Sequence, residues 1–284
     1  MTSLLPKYRA LLISLPFVLS ACVTTQDFSH IPKSPATQTA LQKYLAEKDH
    51  KAFAVAENGV TAYAESQNQQ ENAVFQALLN CEKAANARCT LAAIDNISTL
   101  PQIKSQQDEH RKLISDMKLK HPDQLMPMTK WFKPETDTVR PESQSLHYAT
   151  PVSIKGVKTI GTPELVKRMK EENIAVLDTL GVSRMNATLP GAYVVSGAGF
   201  ASGNADKDKA FEERLEKVIT RYFPDKSQPI AALCLSAECW LSVNTLIHLR
   251  NIGYTNLYWY RNGILDWAYQ ELPFTKTNQI IVVD

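Results

Sequence analysis

The sequence has almost no excess of charge of either sign. It carries 31 Lys and Arg against 29 Asp and Glu, a formal +2, and Lys7 and Arg9 alone supply that surplus. A surface that neutralises phosphates needs a clear basic excess, so nucleic acid is not an expected partner. Repeats are missing too: no self-similarity at a period of about 20–50 residues is visible, which argues against a solenoid or a propeller. Glycine (10) and proline (15) are too few in 284 residues for a low-complexity chain. No apolar run reaches the roughly 20 residues that cross a bilayer. No Cys-x-x-Cys and no His pair with zinc spacing occurs, and His248 stands alone in its segment, so neither a metal nor any other cofactor is expected. What remains is an ordinary globular composition, 44% hydrophobic and 21% charged, which excludes disorder and suffices for two modest cores.

The longest apolar run, Leu11 to Leu19, follows Lys7 and Arg9 and is interrupted by Pro16. It reads as a signal-peptide core. It ends in Leu19-Ser20-Ala21-Cys22, which resembles the bacterial lipobox, in which a cysteine after small residues is acylated. The resemblance implies a lipoprotein signal peptide over residues 1–21 and a lipid on Cys22; a plain secretory signal cut near Ala21 is the alternative. Several acyl chains on one residue hold a protein at a membrane far better than one does. Val23 is not the Asp that resembles an inner-membrane retention signal, so the expected location is the outer membrane, facing the periplasm. Everything after Cys22 then lies outside the reducing cytosol.

The mature chain divides by pattern. Residues 22–35 are polar and contain Pro32 and Pro35, the composition of a tether. Residues 36–120 read as a small α+β domain of ββαβ order. Lys51–Ala56 and Val60–Ala64 are strands joined by Glu57-Asn58-Gly59, a tight-hairpin signal. A helix from Glu71 to Ala85 and a strand from Arg88 to Ile94 follow, then a polar helix near Gln102–Lys118. The proline-rich stretch over 121–149 reads as a linker. The pieces Lys51-Ala52-Phe53-Ala54-Val55, Ala62-Tyr63-Ala64, Ala77-Leu78-Leu79-Asn80-Cys81 and Cys89-Thr90-Leu91-Ala92-Ala93 resemble a short exported bacterial domain of unknown role. Cys81 and Cys89 fall at a helix end and the next strand start, where a reversal brings two Cα atoms within disulfide reach, and a structural bond is expected.

Residues 150–284 alternate helix and strand. The near-continuous apolar run Ile174-Ala175-Val176-Leu177 suits a strand covered on both faces. Further strands are expected at Gly191–Val195, Ile230–Leu233 and Leu257–Tyr260. Helices are expected after Thr162, its N-cap, over Asp206–Tyr222 and Leu241–Asn251, and after Gly263. This order predicts an α/β fold with a mostly parallel sheet and right-handed crossovers. Ligands of such sheets bind at the carboxyl ends of the strands. Cys234 stands there, opening the loop Cys234-Leu235-Ser236-Ala237-Glu238-Cys239-Trp240 between a strand and a helix. Loop amides and the positive helix end would stabilise a thiolate or an anion.

Val176-Leu177-Asp178, Leu189-Pro190-Gly191-Ala192, the Cys234 loop and the run from Leu249 to Trp267 together resemble a rhodanese-like domain. Pro190-Gly191-Ala192, Gly197-Ala198-Gly199 and Cys239-Trp240 are similar to exported members with a Cys…Cys-Trp loop, described with pyrroloquinoline-quinone-dependent catabolism. The resemblance implies sulfurtransferase activity through a persulfide on Cys234, with Leu235, Ser236, Ala237, Glu238 and Trp240 forming the substrate-binding loop. It implies a small sulfur-containing or thiol substrate, or a periplasmic protein, as partner. The chain departs from the family where Cys239 replaces the usual Arg and Glu238 adds a negative charge, changes that raise a thiol pKa. Asp178 is expected to brace the sheet rather than react. Two cysteines five apart also allow thiol–disulfide redox, with Cys234 attacking and Cys239 resolving. A catalytically inactive binding module is the third reading.

Overall fold

The computed structural model describes residues 27–48, 50–66, 68–121 and 135–284. Cys22 and part of the expected linker lie outside the described residues. Helix α1 (Pro35–Ala46) starts where the Ser34 hydroxyl accepts from the Thr37 amide at 3.1 Å, with Pro35 in the first turn, a pre-organised start. Strands β1 (Lys51–Ala56) and β2 (Thr61–Glu65) form a hairpin. Its turn places Gly59 at φ +84°, a left-handed conformation that a side chain would oppose. Then come α2 (Gln70–Ala85), β3 (Cys89–Ile94), β4 (Ile97–Ser98) and α3 (Gln102–Asp116). The four strands make an antiparallel sheet in the order β2-β1-β3-β4.

Strand β1 is buried along its whole length, and its alternation decides what covers it. Phe53 and Val55 pack with Tyr44 and Leu41 of α1. Ala52, Ala54 and Ala56 pack with Ala73, Ala77 and Leu78 of α2. Small side chains on that face let α2 lie close, and a disulfide joins Cys81 in its last turns to Cys89 at the start of β3, with Cα atoms 6.2 Å apart.

Strands β5 (Glu135–Thr136) and β6 (Ser153–Ile154) form a short parallel pair. The rest follows as β7 (Lys158–Ile160), α4 (Thr162–Glu171), β8 (Ala175–Asp178), a 3-10 turn at Val182–Arg184, β9 (Tyr193–Ser196), α5 (Ala205–Tyr222), β10 (Ile230–Leu233), α6 (Trp240–Asn251), β11 (Leu257–Tyr260), α7 (Gly263–Tyr269) and β12 (Ile280–Val282). Six of these strands form an all-parallel sheet in the order β12-β9-β8-β10-β11-β7. Leu177, Val195, Ala232 and Trp259 face α5 and α6. Val176, Ala231, Tyr258 and Tyr260 face α4 and α7. The fold is therefore α/β with a parallel sheet between helices, preceded by an α+β region.

The two sheets share an apolar seam. Val182, Met185, Ile280 and Val282 pack in one cluster with Ala73, Leu78 and Leu91 of the N-terminal unit. In the parallel sheet, β7 and β12 were not anticipated from the sequence because each is only three residues long, and the two-residue strands β4, β5 and β6 were missed as well. The helix start at Thr162 also differs. Gly161 holds the cap position, and the Thr162 hydroxyl instead binds the Tyr260 hydroxyl at 2.6 Å and the Asp266 carboxylate. A buried three-way contact uses the oxygen that a cap would need.

The Cys81–Cys89 bond closes a short loop, so its removal acts chiefly on the unfolded chain. The double variant Cys81→Ala/Cys89→Ala is expected to lose about 2–3 kcal/mol, read from urea unfolding; a loss below about 0.5 kcal/mol would contradict a structural role.

Candidate active site

Strand β10 lies in the interior of the sheet, between β8 and β11, and all four of its residues are buried. The chain leaves the sheet at Cys234, and α6 begins at Trp240 with Cys239 in the cap position. What fixes the loop between them is the start of α7. The amides of Ile264 and Leu265 donate to the carbonyls of Cys234 and Leu235, each at 3.0 Å. This approach requires Gly263, which has φ +62° and where a Cβ would run into the Cys234 carbonyl. Inside the loop, the Cys239 amide donates to the Ser236 carbonyl and the Glu238 amide to the Ser236 hydroxyl, both at 3.2 Å. The amides of Leu235, Ser236 and Ala237 have no acceptor among the described residues.

Cys234 and Cys239 are joined by a disulfide, with Cα atoms 5.9 Å apart. Cys234 is 1% exposed and Cys239 is 6% exposed, so the sulfur chemistry is closed to solvent in this state. The positive end of the 12-residue α6 falls at Cys239 rather than at Cys234.

A strap closes the loop from outside. Residues 139–151, read from sequence as linker for most of their length, run across it. The Tyr148 amide donates to the Glu238 carbonyl at 2.8 Å, the Trp240 amide to the Leu146 carbonyl at 2.9 Å, and His147 bridges Cys239 backbone to backbone in antiparallel sense. Thr150 donates to the Ala237 carbonyl through both its amide, at 3.4 Å, and its hydroxyl. The Trp240 indole donates to the Ala149 carbonyl at 3.2 Å, and Arg261 to the Pro151 carbonyl at 2.9 Å. Upstream, the buried Asn244 of α6 accepts from the Arg140 amide and donates to the Arg140 carbonyl, each at 2.8 Å. The Arg140 guanidinium lies over the rings of Tyr148 and Trp240, at 4.5 and 5.6 Å.

The remaining residues predicted for the site divide between this loop and its neighbour strand. Glu238 points outward, 3.8 Å from His147, both well exposed; such a pair is screened and contributes little. Ser236 is turned back onto its own loop. Asp178, fully buried at the end of β8, pairs with Leu233, the residue before Cys234. Its carboxylate accepts from the Thr188 hydroxyl at 2.8 Å, the Leu180 amide at 3.2 Å and Arg184 Nε at 3.3 Å. These bonds tie the chain after β8 back to the sheet. Asn262, 4% exposed, follows β11 at the same carboxyl end of the sheet, and its Nδ2 has no partner among the described residues. Neither the strap nor Asn262 was legible beforehand. His248 is buried in the body of the domain, held by Glu212 at 2.9 Å and the Phe200 carbonyl at 2.7 Å. Among the described residues there is no group of three His, Cys, Asp or Glu that would hold a metal ion, and no helix is long and apolar enough to cross a membrane.

Residues 162–270 match the family described as Rhodanese-like domain. This segment is a rhodanese-like domain. Solved structures similar to it include a thiosulfate sulfurtransferase from Pseudomonas aeruginosa, 16% identical over 46% of this chain and 22% of that chain, with a TM-score of 0.33. This chain thus spans under a quarter of that protein's length. A polysulfide-sulfur transferase homodimer from Wolinella succinogenes is 15% identical over 43% of this chain and 81% of that one, with a TM-score of 0.32. A protein from Bacillus halodurans is 17% identical over 43% and 80%, also at 0.32. No curated protein matches the chain. In the rhodanese-like domain, Cys234 occupies the strand-to-helix loop and Cys239 the helix cap.

Burial pushes the Asp178 carboxyl above its ordinary value of 3.8, outweighing Thr188, Leu180 and Arg184, which pull it down. The folded state then binds that proton more tightly than the unfolded chain. Stability from this group therefore falls as pH rises from 3.8 through the raised folded value. Relative to the parent, Asp178→Asn is expected to fare better at about pH 7 than at about pH 4. Paired urea unfolding curves check this, and a difference independent of pH would contradict it.

Proposed function

We propose that the rhodanese-like domain transfers sulfane sulfur through a persulfide on Cys234. The observation that carries this reading is the position of Cys234. It lies at the carboxyl end of an interior parallel strand, at the head of a loop whose amides at Leu235, Ser236 and Ala237 have no acceptor among the described residues. Such amides suit an anionic sulfur. With thiosulfate as donor, the Cys234 thiolate attacks the outer sulfur, the donor's S–S bond breaks, and sulfite leaves with the electron pair. A thiol acceptor then attacks the terminal sulfur of the persulfide, takes it, and releases the Cys234 thiolate. Cys239 is the nearest competitor for that intermediate. If its thiolate attacks the Cys234 sulfur, hydrosulfide leaves and the Cys234–Cys239 bond forms, and an external dithiol must reduce it before the next turnover. The substrate class is a small sulfur-containing compound, with a thiol or a periplasmic protein as acceptor. The Cys…Cys-Trp loop, Cys234 to Trp240, supports a likeness to the exported members of the family with such a loop.

A second reading, thiol–disulfide exchange without sulfur transfer, is favoured by the Cys234–Cys239 bond itself. The burial of both sulfurs under the strap favours the third, a catalytically silent binding module. Sulfur transfer by the dithiol-reduced protein separates them. Cys234→Ser is expected to lower it by roughly a thousandfold or more, while Cys239→Ser retains it. Absence of sulfur transfer by the reduced parent sinks the first reading. Reduction of a disulfide substrate by the parent, lost in both variants, then marks exchange chemistry, and neither activity leaves the binding module.

We propose further that a lipid on Cys22, in Leu19-Ser20-Ala21-Cys22, anchors the protein at the outer membrane with the folded part facing the periplasm. Metabolic labelling with a fatty acid is expected to mark the parent chain and not Cys22→Ser, and the variant should leave the membrane fraction. Equal labelling of both would refute lipidation at that position.

A further inference from the structure

A cavity at the β12 edge of the parallel sheet includes no residue of the cysteine loop in its lining. It lies where α3 and the start of β3 meet the residues leading into β12. His110 of α3 lines it and is 4% exposed. Its Nε2 is 3.0 Å from the Lys276 carbonyl, so that nitrogen carries the proton and donates. Nδ1 is then a lone-pair acceptor, and it has no partner among the described residues. Burial holds the ring below its ordinary value of 6.5, against the Lys276 bond, which keeps it neutral.

On the other side stands Arg88, between the helix end and the Cys81–Cys89 bond. Its guanidinium is 4.8 Å from the Tyr222 ring and makes no hydrogen bond or ion pair among the described residues. The carboxylate of Glu82 nearby is already bound, by the Tyr222 hydroxyl at 2.7 Å and by Arg221 at 3.6 Å. No acidic residue lines this chamber, whose remaining polar groups include the carboxamides of Gln106, Gln107, Asn278 and Gln279. The Arg88 charge also acts on the Glu82 carboxylate, but its guanidinium donors face no hydrogen-bond acceptor among the described residues, and their planar fork matches a carboxylate. A neutral imidazole lone pair calls for a hydrogen-bond donor on the same molecule. Amides complete the set because they both give and accept.

We infer that this cavity binds a small α-hydroxy or α-amino carboxylate, with the carboxylate on Arg88 and the hydroxyl or amine on His110 Nδ1. The site stands independently of any activity at Cys234. The test uses the full chain, labelled with 15N-histidine and titrated with L-lactate and glycine. Propionate, which lacks the donor, and propane-1,2-diol, which lacks the carboxylate, serve as controls. Lactate or glycine at millimolar concentration is expected to move the His110 Nδ1 resonance, with both controls weaker by roughly tenfold or more. Arg88→Met keeps an apolar stem against Tyr222 and is expected to weaken binding to a similar degree, its fold being checked by thermal unfolding without ligand. Because the resonance is read in the parent protein, an unstable variant does not spare the proposal. It is overturned if neither lactate nor glycine moves the signal, if propionate binds as well as lactate, or if a folded Arg88→Met binds unchanged.

Discussion

The cysteine loop is held by a contact that leaves no room for a side chain. Two amides at the start of α7 reach the carbonyls of Cys234 and Leu235, and only a glycine at 263 permits that approach. Because those carbonyls point at α7, the loop must continue toward α6 with Cys239 in the cap position. The disulfide, the exposed Glu238 and the contacts of the strap all follow from that path. The site is thus set by backbone geometry at a helix start, and the side chains around it adapt.

A comparable economy links the two halves of the molecule. The edge strand β12 completes the parallel sheet beside β9 and also packs its apolar side chains against α2. One face of this short edge strand is thereby buried against the N-terminal unit. The disulfide at the end of α2 fixes the start of β3, and with it Arg88, at the same junction. The N-terminal unit therefore does more than precede the rhodanese-like domain: it supplies one wall of the junction and half of its polar groups.

Much of this could be read from the residues alone. The Asn58-Gly59 turn and the apolar runs at Ala175–Asp178 and Ile230–Leu233 carry local signals strong enough to survive folding. The Cys234 loop was legible because a strand signal and a helix signal flank it. The strap was not. It binds through the carbonyls of Leu146, Ala149 and Pro151 and through backbone amides, groups that every sequence possesses, while its prolines and polar residues have the composition of a linker. Thr162 illustrates a different difficulty. A threonine before Pro-Glu satisfies the preferences of a cap, yet the buried partners Tyr260 and Asp266 are distant in sequence and outcompete it. Strands as short as β7 and β12 owe their existence to neighbours rather than to propensity.

The strap also bears on how sulfur chemistry at Cys234 would proceed. Four hydrogen bonds join residues 146–150 to the segment 237–240 between backbone groups and the Trp240 indole. At about 1 kcal/mol each, such bonds hold the strap against the loop together with the Thr150 hydroxyl and the Asn244 contacts. A substrate that binds only the open form has its apparent affinity scaled by the fraction of the protein that is open. Reactivity at this site is then governed by two equilibria, reduction of the disulfide and release of the strap. The disulfide and the strap meet at one residue, Cys239, bonded to Cys234 through its side chain and paired with His147 through its backbone.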